Sequence, residues 1–200
     1  MGVEKRMDNK CAQITLYTPQ SDVVVKKLKE NGYHTAKMKF IREKYGEVAP
    51  IFINAYQWYT SNAQHIVSRP EGAESAIWAY KELTNIERHS GQQILEIHIP
   101  IEKAVYFRMS DWNKRLNLRY IGKTSQEEDL YKQKLTQYGI KYEGDVYLTP
   151  YYPQLKDKLI KSWKNLFQYD SEVKEKEDLL FSDMQAGIWR LEWEWVKRIL

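Results

Sequence analysis

The stretch AQITLYTPQSDVVVKKLKENG, residues 12–32, begins with a strand pattern and ends with a helix pattern. β-Branched and aromatic residues predict a strand over residues 12–18. Thr18 is the predicted N-cap of a helix that starts at Pro19. Proline suits the first position of a helix, because the N–H group of that position makes no hydrogen bond within the helix and proline has no N–H. Gly32 is expected to end this helix in the left-handed conformation. This strand–helix unit is the first element of the predicted fold.

A second stretch, SRPEGAESAIWAY at residues 68–80, places a Pro70–Gly72 turn before a short strand. Further strands are predicted at residues 92–100 and 104–107, and an amphipathic helix at residues 153–167. The order of elements lacks a regular strand–helix–strand alternation. We therefore expect an α+β fold, with a mixed or antiparallel sheet and flanking helices in a single domain over residues 13–200. Residues 1–12 are predicted to be a flexible N-terminal segment.

Composition is that of an ordinary globular chain with an excess of aromatic residues. The 200 residues are 42% hydrophobic and include 7 Trp, 15 Tyr and 5 Phe. Most of these rings are expected to fill the core, while Tyr and Trp also supply stacking faces in binding sites. The chain has one cysteine and four histidines without metal-ligand spacing, so no metal site is predicted.

Charge and hydropathy indicate which partners and which cellular location to expect. Residues 1–50 hold ten Lys or Arg against six Asp or Glu, but these cations are scattered and do not form the dense patch typical of nucleic-acid binders. No apolar run approaches the roughly 18 residues of a membrane span, and the N-terminus lacks the apolar centre of a signal peptide. We expect a cytoplasmic protein that does not bind membranes, and the scattered cations make nucleic acid the less favoured class of partner.

Four segments resemble, in order and spacing, a bacterial family of domains of unknown function, DUF3841. They are RPEGAESAIWAY, ILEIHIPIEKAVYFRMSDWN, KSWKNLF and MQAGIWRLEWEWVKRI. One departure is that Trp112 directly follows Asp111, where the family pattern places three residues between Asp and Trp. The resemblance covers about residues 13–200 and implies no established activity.

A fainter resemblance links the strand–helix start and the closing segment to ADP-ribosyltransferase-like domains. It implies a ribose-side residue near Tyr17 or Thr18, a stacking aromatic near Trp78 or Tyr80, and NAD as the ligand. The activating glutamate of those enzymes falls on Gly187 here. Because glycine has no carboxylate to stabilise an oxocarbenium-like ribose, the resemblance implies a diverged or inactive transferase.

These observations predict a nucleotide cleft near the Pro70–Gly72 turn. Its expected residues are Thr18, Gln20, Arg69, Trp78, Tyr80 and Gln185. Trp78 and Tyr80 lie on one face of a strand where a base can stack, and an arginine can pair with a phosphate.

Other interpretations are open at this stage. Trp78 and Tyr80 face the core in one of them, with Arg69 paired to Glu71 or Glu74. In another, the protein is a non-enzymatic module whose exposed aromatics bind a protein partner. In a third, the basic first fifty residues direct it to RNA.

Overall fold

The computed structural model describes residues 12–176 and 181–200, so the predicted flexible segment and Cys11 lie outside the described residues, apart from residue 12. Within these two ranges, no helix is both long and apolar enough to cross a bilayer. The strands are β1 (Gln13–Ser21), β2 (Tyr33–His34), β3 (Ile77–Tyr80), β4 (Gln92–Pro100), β5 (Ala104–Arg108), β6 (Met184–Ile188), β7 (Leu191–Glu192) and β8 (Val196–Ile199).

Helices connect and flank these strands. They are α1 (Asp22–Asn31), α2 (Met38–Tyr45), α3 (Ala49–Ala63), α4 (Met109–Leu116), α5 (Ser125–Gln137), α6 (Glu143–Leu148), α7 (Pro153–Ser162) and α8 (Asp170–Glu175). A 3₁₀ helix over Trp163–Phe167 continues α7.

Six strands form one antiparallel sheet in the order β5-β6-β3-β1-β4-β8. A separate pair joins β2 to β7. The helices flank this sheet in a single domain, which confirms the predicted α+β class. Strand β3, which carries Trp78 and Tyr80, lies inside the sheet between β6 and β1.

The opening strand–helix unit is present, but its boundary was predicted wrongly. Strand β1 continues through Pro19 to Ser21, where it pairs with Gln92 of β4. Ser21, and not Thr18, caps α1 by accepting the Val24 N–H at 3.3 Å. Pairing along β4 keeps the chain extended past the position at which local propensity favours a helix. Gly32 ends α1 with φ of 79°, as predicted.

Each face of the sheet carries its own core. On one face, Val25 and Leu28 of α1 pack with the buried apolar residues of β4. On the other face, an aromatic cluster joins the sheet to α3, α4 and the 3₁₀ helix; its members include Tyr59, Phe107, Trp112 and Trp163. Strand β3 serves both cores, since Ile77 and Ala79 belong to the first core and Trp78 packs against the second.

Side-chain contacts define the elements in the second half of the chain. The charged stretch after residue 169 is helix α8, in which the buried Asp170 accepts the Tyr106 N–H at 2.9 Å and pairs with Lys174 at 2.7 Å. Thr124 caps α5 by accepting the Glu127 N–H at 3.3 Å. A 3₁₀ helix over Trp193–Trp195 precedes the last strand, β8.

Gly187 allows the aromatic cluster to approach β6 closely. A Cβ placed on Gly187 would overlap the Tyr59 hydroxyl and lie 3.2 Å from Cζ3 of Trp78. The Tyr59 hydroxyl is buried and has no hydrogen-bond partner among the described residues. The position therefore needs the smallest side chain for reasons of packing.

We predict that Gly187→Ala lowers the free energy of unfolding by about 1–3 kcal/mol, since the added methyl overpacks the cluster. Urea unfolding followed by circular dichroism measures the change. Gly144→Ala in α6 is the matched control, because its nearest neighbour to a new Cβ is 3.8 Å away. The control should leave stability unchanged or raise it by about 0.5–1 kcal/mol.

A Tyr59→Phe background sharpens the comparison, because it removes the hydroxyl that the methyl would meet. Gly187→Ala should cost less in that background than in the wild type. Equal costs in the two backgrounds, or equal effects of Gly187→Ala and Gly144→Ala, would contradict this account of the packing.

Candidate functional site

The Trp78 indole belongs to the aromatic cluster and also lines a cleft. Its ring centroid lies 5.0 Å from those of Tyr59 and Trp112, and its Nε1–H donates to the Tyr56 hydroxyl at 2.9 Å. The residue is nevertheless only partly buried, and it lines two adjoining cavities. Core packing thus fixes the ring in one orientation while part of it stays accessible from the cleft.

A short hydrogen-bond chain ties β1 to Trp78. The buried Thr18 hydroxyl donates to the Trp78 carbonyl at 2.7 Å and accepts from Gln20 Nε2 at 2.7 Å. Gln20 lines both cavities, and its side-chain Oε1 makes no hydrogen bond to the described residues, whereas its Nε2 is committed to Thr18. Thr18 therefore positions Gln20, which presents an acceptor at the cleft.

The Pro70–Gly72 turn holds the start of α2 against the sheet. Glu74 Oε2 accepts the Met38 N–H at 3.0 Å and so supplies the N-cap that Lys37 does not provide. Lys37 donates in turn to the Gly72 carbonyl at 2.6 Å and lies 3.3 Å from Glu74 Oε1. Gly72 has φ of 81°, a conformation that favours glycine. The turn is thus a scaffold that fixes one wall of the cleft.

The larger cavity, here called the ring lobe, has a volume of about 540 Å³. Helices α1 and α2 form one side of it, and β3 and α3 form another. Four aromatic side chains line it: Phe40, Tyr45, Tyr56 and Trp78. Its size lies within the range of small-molecule sites, and its aromatic walls suit a planar ring.

The charge of the ring lobe is positive. Lys27 and Lys37 line it, and among the described residues no Asp or Glu side chain does. Lys37 is compensated by Glu74, whereas Lys27 is exposed and has no ion-pair partner within residues 12–176 and 181–200. An anionic group in this lobe would therefore meet one uncompensated ammonium.

The second cavity, here called the polar lobe, has a volume of about 400 Å³. It shares Gln20, His34, Ala36, Trp78 and Gln92 with the ring lobe, so the two cavities adjoin. The side chains that line the polar lobe alone include Tyr80, Asn85, Glu87 and His89. Hydrogen-bonding groups predominate there, in contrast to the aromatic walls of the ring lobe.

Burial shifts the pKa values of three groups in the cleft. It lowers the pKa of His34, and the nearby Lys27 charge adds to that effect. It raises the pKa of Tyr56, and also that of Tyr80, where Tyr45 contributes. At neutral pH the cleft therefore holds a neutral imidazole and protonated phenols, all of which can donate hydrogen bonds.

The structure brings together some of the residues that the sequence indicated. Gln20 and Trp78 line both lobes, Tyr80 lines the polar lobe, and Thr18 supports them from the buried side. Arg69 is not among the lining residues of either lobe; it donates to the Ala73 carbonyl at 3.3 Å within the turn.

Gln185 likewise does not line either lobe. It is buried in β6 opposite Tyr80, and its Oε1 has no hydrogen-bond partner among the described residues.

Sequence reasoning missed the part of the cleft that α1, β2, α2 and α3 contribute. Lys27, His34 and Tyr56 are the main examples. Lys27 stands among other lysines of α1 in the pattern of an ordinary solvated helix face, so the sequence does not distinguish it as a cleft residue. His34, two residues beyond the Gly32 stop, likewise carries no pattern that distinguishes a cleft residue.

Comparisons with known proteins identify the family of the chain. The model described as Domain of unknown function (DUF3841) matches residues 15–197. No curated protein and no solved structure matches the chain. The fainter resemblance to ADP-ribosyltransferase-like domains has no counterpart among these comparisons. The match spans nearly the whole chain, and the chain therefore belongs to the DUF3841 family.

Proposed function

We propose that this protein binds a nucleotide-class ligand, a planar heteroaromatic ring that carries an anionic group, in the ring lobe. The observation that carries the proposal is a cavity of about 540 Å³ that combines four aromatic walls with two lysines. Nucleotides present the matching chemistry, a flat ring and a phosphate. NAD and mononucleotides are both candidates.

Aromatic packing supports the ring half of the proposal. Trp78 is held by its hydrogen bond to Tyr56 and by the surrounding rings, so little side-chain entropy is lost when a base stacks on it. Stacking of a base on an aromatic side chain contributes about 1–3 kcal/mol. The unpaired Oε1 of the Gln20 side chain can accept a hydrogen bond from an exocyclic amine or a hydroxyl of the ligand.

Lysine placement supports the anionic half. Lys27 is the uncompensated cation of the lobe among the described residues, and Lys37 is held in place by Gly72 and Glu74. A phosphate near both lysines gains charge-assisted hydrogen bonds that a neutral ligand does not make.

Packing at Gly187 leaves no room for the carboxylate that the transferases use at this position. The resemblance to transferases places their glutamate at this position, but the Tyr59 side chain fills the space that a Cβ would need. We therefore propose ligand binding by a diverged domain, without the carboxylate chemistry of those enzymes.

Lys27→Ala should weaken AMP binding by about three- to tenfold, because the phosphate loses its uncompensated cation. Adenosine binding should not change. Isothermal titration calorimetry at low salt measures both affinities. Lys26→Ala is the control, since Lys26 is a neighbour that pairs with Glu30 and does not line the lobe.

Absence of binding by AMP, GMP, CMP, UMP and NAD at millimolar concentration would overturn the proposal. Equal losses for AMP and adenosine in Lys27→Ala would overturn the placement of the phosphate.

Trp78→Phe should weaken both AMP and adenosine, since it reduces the stacking area and removes the hydrogen bond to Tyr56. The ligand-induced change in tryptophan fluorescence should also decrease. Thermal unfolding of the ligand-free variant is measured alongside, so that lost stability is separated from lost binding. Full retention of affinity and of the fluorescence change in Trp78→Phe would contradict stacking at this residue.

A second candidate function is binding of a protein partner by exposed aromatic residues. Tyr142 and Tyr151 are 72% and 79% exposed, and Leu148 between them is 71% exposed. Tyr151 also lines a cavity of about 230 Å³ together with Tyr138 and Tyr152. Large exposed side chains of this kind are typical of interaction surfaces when they form one patch.

Replacement of both exposed tyrosines tests that candidate. The double variant Tyr142→Ser, Tyr151→Ser should lose a partner that the wild type retains in gel filtration and pull-down. Tyr33→Ser is the control, because Tyr33 is an exposed tyrosine outside this cluster. Retention of the partner by the double variant would contradict this function.

A further inference from the structure

The cleft has two lobes of different chemistry, and nothing in the proposed function uses the second. Five residues line both lobes, so a ligand seated against Trp78 can extend from the ring lobe into the polar lobe. The ring lobe alone has the volume of a complete small-molecule site. The adjoining volume of about 400 Å³ therefore has room for a second chemical group.

Charge divides between the lobes. Both lysines line the ring lobe, and among the described residues no Lys or Arg side chain lines the polar lobe. The polar lobe carries one carboxylate, Glu87, whose Oε2 lies 3.7 Å from His89 Nε2. A second phosphate is thus disfavoured in the polar lobe, and a neutral group is favoured.

Hydrogen-bonding capacity identifies the kind of neutral group. The polar lobe offers the amides of Gln20, Asn85 and Gln92, the imidazole of His34 and the phenol of Tyr80. Asn85 commits its amide nitrogen to the Ser182 carbonyl at 2.6 Å, which leaves its oxygen as an acceptor. Amides and imidazoles both donate and accept hydrogen bonds, and a carboxylate accepts them. Hydroxyl groups also donate and accept, so a hydroxyl-rich group matches the lining of this lobe.

From these features we propose that the polar lobe binds a sugar, so that the cleft takes a nucleotide whose phosphate carries a second, hydroxyl-rich group. The proposal rests on the proposed function, since it places the nucleotide part of the same ligand in the ring lobe. The ligand class is then that of nucleoside diphosphate sugars. The base lies against Trp78, the phosphates lie near Lys27 and Lys37, and the sugar contacts Tyr80 and Glu87.

Matched ligand pairs test this assignment. ADP is compared with ADP-ribose, and UDP with UDP-glucose, by isothermal titration calorimetry; the members of each pair share a base and two phosphates. We expect the sugar-bearing member of at least one pair to bind about tenfold more tightly, as two or three added hydrogen bonds provide.

Two variants of unchanged shape locate the sugar. Tyr80→Phe removes one hydroxyl and Glu87→Gln removes one charge, and each side chain lines the polar lobe alone. Each variant should weaken the sugar-bearing ligand by about three- to tenfold and leave the parent diphosphate unchanged. Tyr142→Phe and Glu82→Gln, at positions that line neither lobe, should change neither ligand.

The outcomes separate this inference from the proposed function. If ADP or UDP binds and neither sugar-bearing ligand binds more tightly, the sugar assignment is overturned and the ring-lobe proposal stands. If the sugar-bearing ligand binds more tightly but neither variant weakens it, or both variants weaken the diphosphate equally, the placement in the polar lobe is overturned. If none of the four ligands binds while a mononucleotide or NAD does, this inference alone is overturned. If AMP, GMP, CMP, UMP and NAD also fail to bind, the proposed function is overturned with it.

Discussion

The shape of the cleft depends on one constraint, the close packing of two aromatic rings against β6 at Gly187, which has no side chain. Tyr59 and Trp78 approach β6 more closely than a larger residue at position 187 would permit. Trp78 is fixed in turn by neighbouring rings and by its hydrogen bond to Tyr56. Because the indole cannot rotate freely, the accessible part of it forms a rigid wall of the cleft.

The other walls follow from a small number of polar contacts. Glu74 and Lys37 fasten the Pro70–Gly72 turn to the start of α2, which carries Phe40 and Tyr45 into the ring lobe. The buried Thr18 hydroxyl joins β1 to β3 and holds Gln20 where the two lobes meet. Glu74 and Thr18, which line neither lobe, thus help to determine the shape of the site, as supporting residues do in preorganised binding sites.

Local patterns predicted the elements better than their ends. The Gly32 stop and the β4 strand were predictable because a left-handed glycine and an alternating run that ends at Pro100 are local features. The cap of α1 was not predictable, because pairing with β4 carries β1 past Pro19 to Ser21. Likewise, the helical state of residues 170–175 depends on the contact between Asp170 and Tyr106, 64 positions apart.

The candidate site was predictable only where it lies on the sheet. Trp78 and Tyr80 share a face by strand alternation, and Gln20 lies at the end of the adjacent strand. Lys27, His34 and Tyr56 reach the cleft through the packing of α1, β2 and α3, and the sequence contains no pattern that reports this packing. Arg69 was expected at the ligand because arginine suits phosphate, yet it contacts the carbonyl of its own turn.

The central claim is that the Trp78 indole contacts the ligand while the other tryptophans of the aromatic cluster, which do not line either lobe, do not contact it. Indole N–H signals in a nitrogen–proton correlation spectrum test it directly, since the chain has 7 tryptophans and each gives one signal. On titration with AMP, the Trp78 signal should move, and that of Trp163, which is buried and donates to the Arg119 carbonyl at 2.9 Å, should stay in place. A Trp78 signal that does not move at saturating AMP would contradict the account.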